Sequence, residues 1–214
     1  MHNGGEYLSR CLDALLASSY QSYEIIVVDD ASTDDSPEIS QKKGAVVYKL
    51  PRQSGPAAAR NYGAGKACGD VFLFIDSDVL VERDTMARVA SAFRNDPGTS
   101  AVFGSYDDSP SAADLLSQFR NLFHHFIHQN SRNDADTFWA GCGAMRREIF
   151  CVLGGFDESR YSRPSIEDIE LGLRLRKRGC KIRLDKELTV KHLKNWKWLS
   201  MLRTDIFQRA VPWS

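Results

Sequence analysis

The chain has 214 residues, 43% of them hydrophobic and 26% charged, with 28 basic side chains balanced by 28 acidic ones. That is enough for one full core, and the zero net charge excludes the basic footprint of a nucleic-acid partner. Five scattered cysteines without a C-x-x-C pair argue for a reduced, cytoplasmic protein and against a cysteine zinc site, and with no signal peptide and no apolar run of about 18 residues no membrane crossing is expected.

In chain order, the first residues lead straight into a helix whose buried stripe is Tyr7, Leu8, Cys11, Leu12, Leu15 and Leu16. Residues 23–28 read as a strand ending in Asp29-Asp30, followed by a polar loop. Ser36 and Pro37 read as the cap and first turn of a short helix that Gly44 stops. A strand over 45–50 follows, and then a helix opened by Ser54-Gly55-Pro56 that carries Arg60.

The run Val71–Ile75 is apolar, short and without a helical stripe, so it predicts a strand buried on both faces. It ends in Asp76-Ser77-Asp78, where strand alternation would point Asp76 and Asp78 the same way. Two such carboxylates repel unless a cation sits between them. Their oxygens suit Mg2+ or Mn2+, which also accept diphosphate oxygens. An Asp-rich loop that merely ends a strand is the competing reading. Arg60 lies between the two acidic strand ends and could fork onto a carboxylate or a base carbonyl, or form a salt bridge that positions Asp30 or Asp76.

Further on, the pattern predicts a helix over 84–95, a strand over 100–106, and a long helix over 112–129. The apolar side of that long helix is Leu115, Leu116, Phe119, Leu122, Phe123, Phe126 and Ile127. An interrupted strand over 137–145, helices over 147–153 and 165–178, short strands over 180–184 and 188–193, and a terminal helix from Trp196 complete the chain. Alternating strands and helices in the first half argue a parallel sheet with crossover helices. Ser165-Ile-Glu-Asp168 has the spacing of a capping box, which would lower the pKa of Asp168. His124 and His128 have a spacing that can clasp zinc, but no third ligand is evident.

Val27-Val-Asp-Asp-Ala-Ser-Thr-Asp34, Gly55-Pro-Ala-Ala-Ala-Arg-Asn61, Phe74-Ile-Asp-Ser-Asp78, Trp139-Ala-Gly-Cys-Gly143, Gly154-Gly-Phe-Asp157, Glu167-Asp168 and Leu171-Gly-Leu-Arg-Leu175 occur in this order over nearly the whole chain. In them the sequence resembles the family 2 glycosyltransferases. The resemblance implies an α/β chain of the GT-A fold, with a mixed, mostly parallel sheet flanked by helices. Members begin with a strand that ends near the position of Asn3, and the chain is expected to lack it. The expected division is a truncated glycosyltransferase domain over 1–195 and a C-terminal amphipathic helix over 196–214.

The resemblance also implies transfer of a sugar from a nucleoside diphosphate sugar to a hydroxyl of a glycan or lipid-linked acceptor. Inversion, a Mg2+ or Mn2+ ion, and work in cell-envelope glycan or glycolipid synthesis go with it. By the same token Asn3, Asp29, Asp30, Arg60 and Asp76 would serve the donor, and Asp76, Asp78 and His192 the metal. Trp139, Gly141 and Glu167 would lie on the acceptor side, and Asp168 would be the base that takes the acceptor proton. Two rival readings stay open. One is a non-catalytic nucleotide-sugar-binding remnant. The other is a nucleotidyltransferase, although Gly4-Gly5 is too short for its triphosphate loop. The basic, aromatic terminal helix suits a membrane interface or packing on the domain, so a peripheral place on the inner face of the cell membrane is expected beside a purely cytoplasmic one.

Overall fold

The computed structural model describes residues 1–213. Ser214, the end of the expected C-terminal helix, and the side chain of Trp213 lie outside the described residues. The first layer is a two-stranded parallel sheet, β1 (Ile26–Asp29) and β2 (Val46–Lys49), with Ile26 opposite Val46 and Asp29 opposite Lys49. Helix α1 (Gly5–Leu16) buries Leu8 and Leu12 against Val27 and Ala45. Helix α2 (Ser36–Lys42) connects the two strands. Asp35, not Ser36, precedes it. The Ser36 hydroxyl instead accepts from the backbone N–H groups of Gly4 and Gly5, both at 2.9 Å, and so satisfies the start of α1.

Helix α3 (Pro56–Ala64) leads into the main sheet. That sheet has five strands in the order β3 (Val71–Ile75), β6 (Cys142–Arg146), β5 (Thr99–Tyr106), β7 (Lys181–His192) and β4 (Val79–Val81). It is mixed, as expected. Only β5 and β7 run parallel in it, however, while β3–β6, β5–β6 and β4–β7 are antiparallel, so the parallel share is smaller than the sequence suggested. The reason is that β6 and β4 are short return strands inserted beside their neighbours. The two short strands expected near the C-terminal end are one twelve-residue strand, β7.

Helices α4 (Thr85–Asn95), α5 (Leu115–Asn130), α6 (Arg147–Leu153) and α7 (Glu167–Lys177) flank the sheet. One side of it is an aromatic core of Phe72, Phe74, Phe103, Phe138, Phe150 and Phe156, closed by Leu171 and Leu175 of α7. The other side packs Val79, Val89, Phe93, Val102 and Val190.

Strand β3 is not buried on both faces. Phe72 and Phe74 are buried, whereas Val71, Leu73 and Ile75 are half-buried. The cause is a gap between the two sheets. A cavity of about 1630 Å³ is lined there by Val27 and Val28 of β1, Leu8, Leu12 and Leu15 of α1, and all of β3. Met1 sits at its end, where its amino group donates to the Val28 carbonyl at 2.7 Å and its carbonyl accepts from Asp30 N–H at 2.8 Å. That is parallel-ladder geometry beside β1.

Two helices depart from expectation. The apolar stripe of α5 faces outward, with Leu115, Phe119, Leu122, Phe123, Phe126 and Ile127 exposed. The terminal helix is continuous but changes its winding, from α8 (Trp198–Arg203) through a π-helical segment Thr204–Ala210 to a last turn Val211–Trp213. None of the described helices is long and apolar enough to cross a membrane.

Candidate functional site

At the carboxyl end of β3 the cavity is lined by acidic residues, Asp76 and Asp78, with Glu167 and Asp168 also among its lining. β3 stops at Ile75, and a turn closed by Val79 N–H on the Asp76 carbonyl at 3.1 Å carries Asp76-Ser77-Asp78. The two carboxylates are thus brought together by a turn and not by strand alternation. Arg60, on α3, reaches the site because Gly55 starts that helix in a left-handed conformation, φ 89°. A Cβ at Gly55 would lie 2.4 Å from the Ser162 carbonyl oxygen, so the loop before α7 fits only over glycine.

Arg60 joins two halves of the site. It donates to Asp76 at 2.8 Å and to Glu167 at 3.0 Å, with its guanidinium over the Phe156 ring at 5.4 Å. Burial opposes its charge, but Asp76 and Glu167 hold the guanidinium firmly protonated. Asp76 is pushed above the ordinary carboxylate range by burial and by repulsion from Asp78, against the pull of Arg60. In Asp78 burial works the same way, but the hydrogen bond and charge of His192, with Lys194, hold the carboxyl below its ordinary value. The Asp78 Oδ2 to His192 Nε2 distance is 3.5 Å.

Across the cavity, α7 carries Glu167-Asp168. The expected capping box does not form: Ile166 precedes the helix and no side chain caps it. Ser165 instead donates its hydroxyl to the Gln208 carbonyl at 2.6 Å and its N–H to Glu167 at 2.8 Å. Asp168 accepts from Ala140 N–H at 3.0 Å and from Ile169 N–H at 2.8 Å. Burial and the neighbouring Glu167 charge raise its pKa to about 6, opposite to the lowering a cap would cause.

Close packing fixes this side of the site. A Cβ at Gly172 of α7 would lie 2.3 Å from Phe138 N. Gly172→Ala should therefore cost about 1–3 kcal/mol by overpacking, read as a lower denaturation midpoint; an unchanged midpoint would mean the loop yields freely. Gly141 serves Trp139, whose indole would lie 2.3 Å from a Cβ there.

The sequence-predicted residues thus divide. Arg60, Asp76, Asp78, Trp139, Glu167, Asp168 and His192 all line the one cavity. Asn3, Asp29, Asp30 and Gly141 are not among its lining residues and support loops instead. Asn3 accepts from Thr33 N–H at 2.8 Å and Asp29 from Ser32 N–H at 2.9 Å. Asp30 accepts from Ser54 and Gly55 N–H at 2.7 and 2.9 Å, which fixes the entry to α3.

Sequence reasoning did not single out Tyr106 at the end of β5. Its ring stacks on His192 at 4.5 Å and meets Trp139 edge-on at 4.9 Å. Only its position at a strand end could have signalled this. His124 and His128 lie against Trp139 with their Nδ1 atoms buried and without a partner. Burial lowers both pKa values, that of His128 to about 4.

Among the described residues no cluster of three or more His, Cys, Asp or Glu is arranged to hold an ion alone. Asp78, kept ionised beside His192, and Asp76 next to it still fit a hard divalent cation as a partial shell. Mg2+ in particular takes one or two carboxylates and completes its coordination with water and substrate phosphates.

The family model described as Glycosyl transferase family 2 matches residues 1–153. An uncharacterized glycosyltransferase of Haemophilus influenzae is 39% identical over 93 residues, 41% of this chain and 37% of that one. Among solved structures, the mannosyltransferase PcManGT from Pyrobaculum calidifontis, in complex with GDP-Man and Mn2+, superposes with a TM-score of 0.75 at 20% identity, covering 95% of this chain and 57% of that one. Staphylococcus aureus TarS 1-349, in complex with UDP-GlcNAc, gives 0.68 at 19% identity over 92% of this chain and 57% of that one. The chain therefore spans little more than half the length of these structures, and less of the curated relative. The shared fold is GT-A.

Proposed function

The chain belongs to glycosyl transferase family 2, and from that premise we propose that it transfers a sugar from a nucleoside diphosphate sugar to an acceptor hydroxyl with inversion, using Asp168 as the base. The observation that carries this reading is one cavity in which the Asp76–Arg60–Glu167 bridge sets donor-side carboxylates opposite a carboxylate of raised pKa.

In a single displacement the acceptor oxygen attacks the anomeric carbon as the bond from that carbon to the diphosphate oxygen breaks. The hydroxyl proton passes to a carboxylate oxygen of Asp168. A group with a pKa near 6 is ionised at pH 7 yet basic enough to take that proton. Backbone N–H groups of Ala140 and Ile169 hold the carboxylate in place, and Arg60 holds Asp76 beside Asp78 against their mutual repulsion. A divalent ion held by Asp76, Asp78 and His192 would neutralise the donor diphosphate and favour its departure. Asp30 acts on the donor side through the loop it orders, and Trp139 and Gly141 shape the acceptor side. The acceptor is a glycan or lipid-linked acceptor of cell-envelope synthesis, met at the cytoplasmic face of the membrane.

A thermal-shift series of nucleotide sugars with and without Mn2+ tests the donor. Stabilisation should require the ion and vanish with EDTA. Asp78→Ala should lower metal-dependent donor affinity by at least about 10–100-fold, since even an outer-shell partner is worth that much. Donor binding indifferent both to EDTA and to Asp78→Ala would remove the metal site. Binding without transfer would favour a non-catalytic remnant, and preference for a triphosphate a nucleotidyltransferase.

A further inference from the structure

Helix α5 is inside out. On a helical projection Ser117, Asn121, His124 and His128 fall on one side, and Leu115, Phe119, Phe123 and Phe126 on the other. The polar side is the inner one. Ser117 and Asn121 are each 3% exposed, and Asn121 donates to the Asp107 carbonyl at 2.9 Å. The apolar side looks outward: Leu115 is 83%, Phe119 57% and Phe126 62% exposed. A soluble helix does the reverse, and an exposed apolar face of this kind marks a surface that meets something apolar.

The outward face does not stand alone. Arg120 of α5 forms a two-pronged ion pair with Asp205, at 2.9 and 3.1 Å, and lies over the Trp196 ring at 5.1 Å. This fastens the C-terminal segment beside α5. That segment in turn exposes Leu199 (83%) and Phe207 (67%). Arg120, Thr204, Gln208 and Arg209 line the same cavity as Asp168, so the apolar surface borders the acceptor mouth.

Charge identifies the occupant. Helix α5 and residues 194–213 together hold Arg120, Lys194, Lys197, Arg203 and Arg209 against one acid, Asp205, in a chain of zero net charge. Asp205 is already engaged by Arg120. Two copies meeting through this face would bring like charges together. An apolar surface rimmed by basic side chains matches an anionic bilayer.

We propose that the outward face of α5 and the C-terminal helices form one platform that docks on an anionic phospholipid surface and holds the acceptor mouth against it. This rests on the membrane-face reading above and assigns α5 a part in it. Co-flotation of the full chain with phosphatidylcholine vesicles, with and without phosphatidylglycerol, is the test. Binding should need phosphatidylglycerol and weaken with salt. Phe119→Gln with Phe126→Gln should lower partitioning about 100-fold, about tenfold for each phenyl ring withdrawn from lipid. Lys197→Gln and Arg203→Gln should each lower it about fivefold. All these side chains are exposed, and melting curves check that each variant folds. Vesicle binding unchanged in the phenylalanine pair would overturn the role of α5. So would absence of binding, or concentration-dependent dimerisation that the same pair abolishes. Nucleotide-sugar thermal shift should be the same in the pair as in the parent chain. Its loss in both, with vesicle binding intact, would sink the donor reading and leave the platform standing.

Discussion

Asp168→Asn should slow sugar transfer by about 10²–10⁴-fold, the range for loss of a general base. Asparagine keeps the shape and can still accept from Ala140 N–H through its carbonyl oxygen, but it cannot take a proton. Donor affinity should change little, because the donor-side carboxylates are held by Arg60 and His192. The pH profile carries the same signature. With a pKa of about 6 in place of the ordinary 3.8, the base is lost as pH falls through 6. The parent rate should therefore drop about tenfold per unit below that point and level off above it, and the variant's residual rate should lack this limb.

Stability runs the other way. The folded pKa of Asp168 lies above its unfolded value, so its contribution is full below about 4 and is lost as pH rises through about 6. At pH 7 the uncharged Asp168→Asn should be at least as stable as the parent, since it removes a half-buried charge beside that of Glu167. A capping role would instead predict a loss of about 1 kcal/mol and normal transfer. Initial rates between pH 5 and 8, with melting curves of both proteins, separate the two. Transfer by the variant at close to the parent rate would remove Asp168 from the chemistry.

Arg60→Met should destabilise the fold by about 3 kcal/mol, the low end of the range for removing one partner of a buried ion pair. Glu167 is 5% exposed and would keep only the Ser165 N–H as a donor. Asp76 would lose the guanidinium that offsets Asp78 and should swing away, so donor affinity should fall with stability. Arg60→Lys should rescue little, because one ammonium cannot fork onto two carboxylates. Adding Glu167→Gln to Arg60→Met should recover part of the loss, since the stranded charge is then gone. Urea denaturation midpoints of the three variants give the answer. A midpoint unchanged in Arg60→Met would show that the bridge contributes nothing, and the donor-side geometry would need another source.

Much of this was legible in the residues. The apolar runs at 26–29 and 71–75, each ending in aspartates, are strands whose ends are acidic. Pro56 after Gly55 is a helix start, and Arg60, on the helix between the acidic strand ends, is a candidate for a salt bridge to Asp30 or Asp76, of which the fold forms the one to Asp76. These are local matters: a run of β-branched residues, or a proline that cannot donate, constrains its own few residues whatever surrounds them. Reading failed where the neighbour decides. The pattern divides β7 at its polar residues 185–187, and the ladder with β5 does shift register there, from Leu184 opposite Phe103 to Thr189 opposite Ser105; the two pieces form one strand because both pair with the same neighbour, β5.

The sequence by itself therefore determined the α/β alternation, the acidic strand ends, Arg60 between them and, through its ordered motifs, the family. The tertiary structure alone decided three things. It decided which aspartates face the cavity, because Asp29 and Asp30 are consumed by Ser32, Ser54 and Gly55 N–H groups that only the folded loops bring near. It decided that the Asp168 carboxyl has a raised pKa, because desolvation and the Glu167 charge belong to its surroundings and not to its spacing. And it decided that α5 wears its apolar side outward. Helical periodicity separates two faces, but which of them is covered depends on the polar partners waiting at Tyr106 and Asp107, whose carbonyls take His125 and Asn121 and so turn the phenylalanines to the outside.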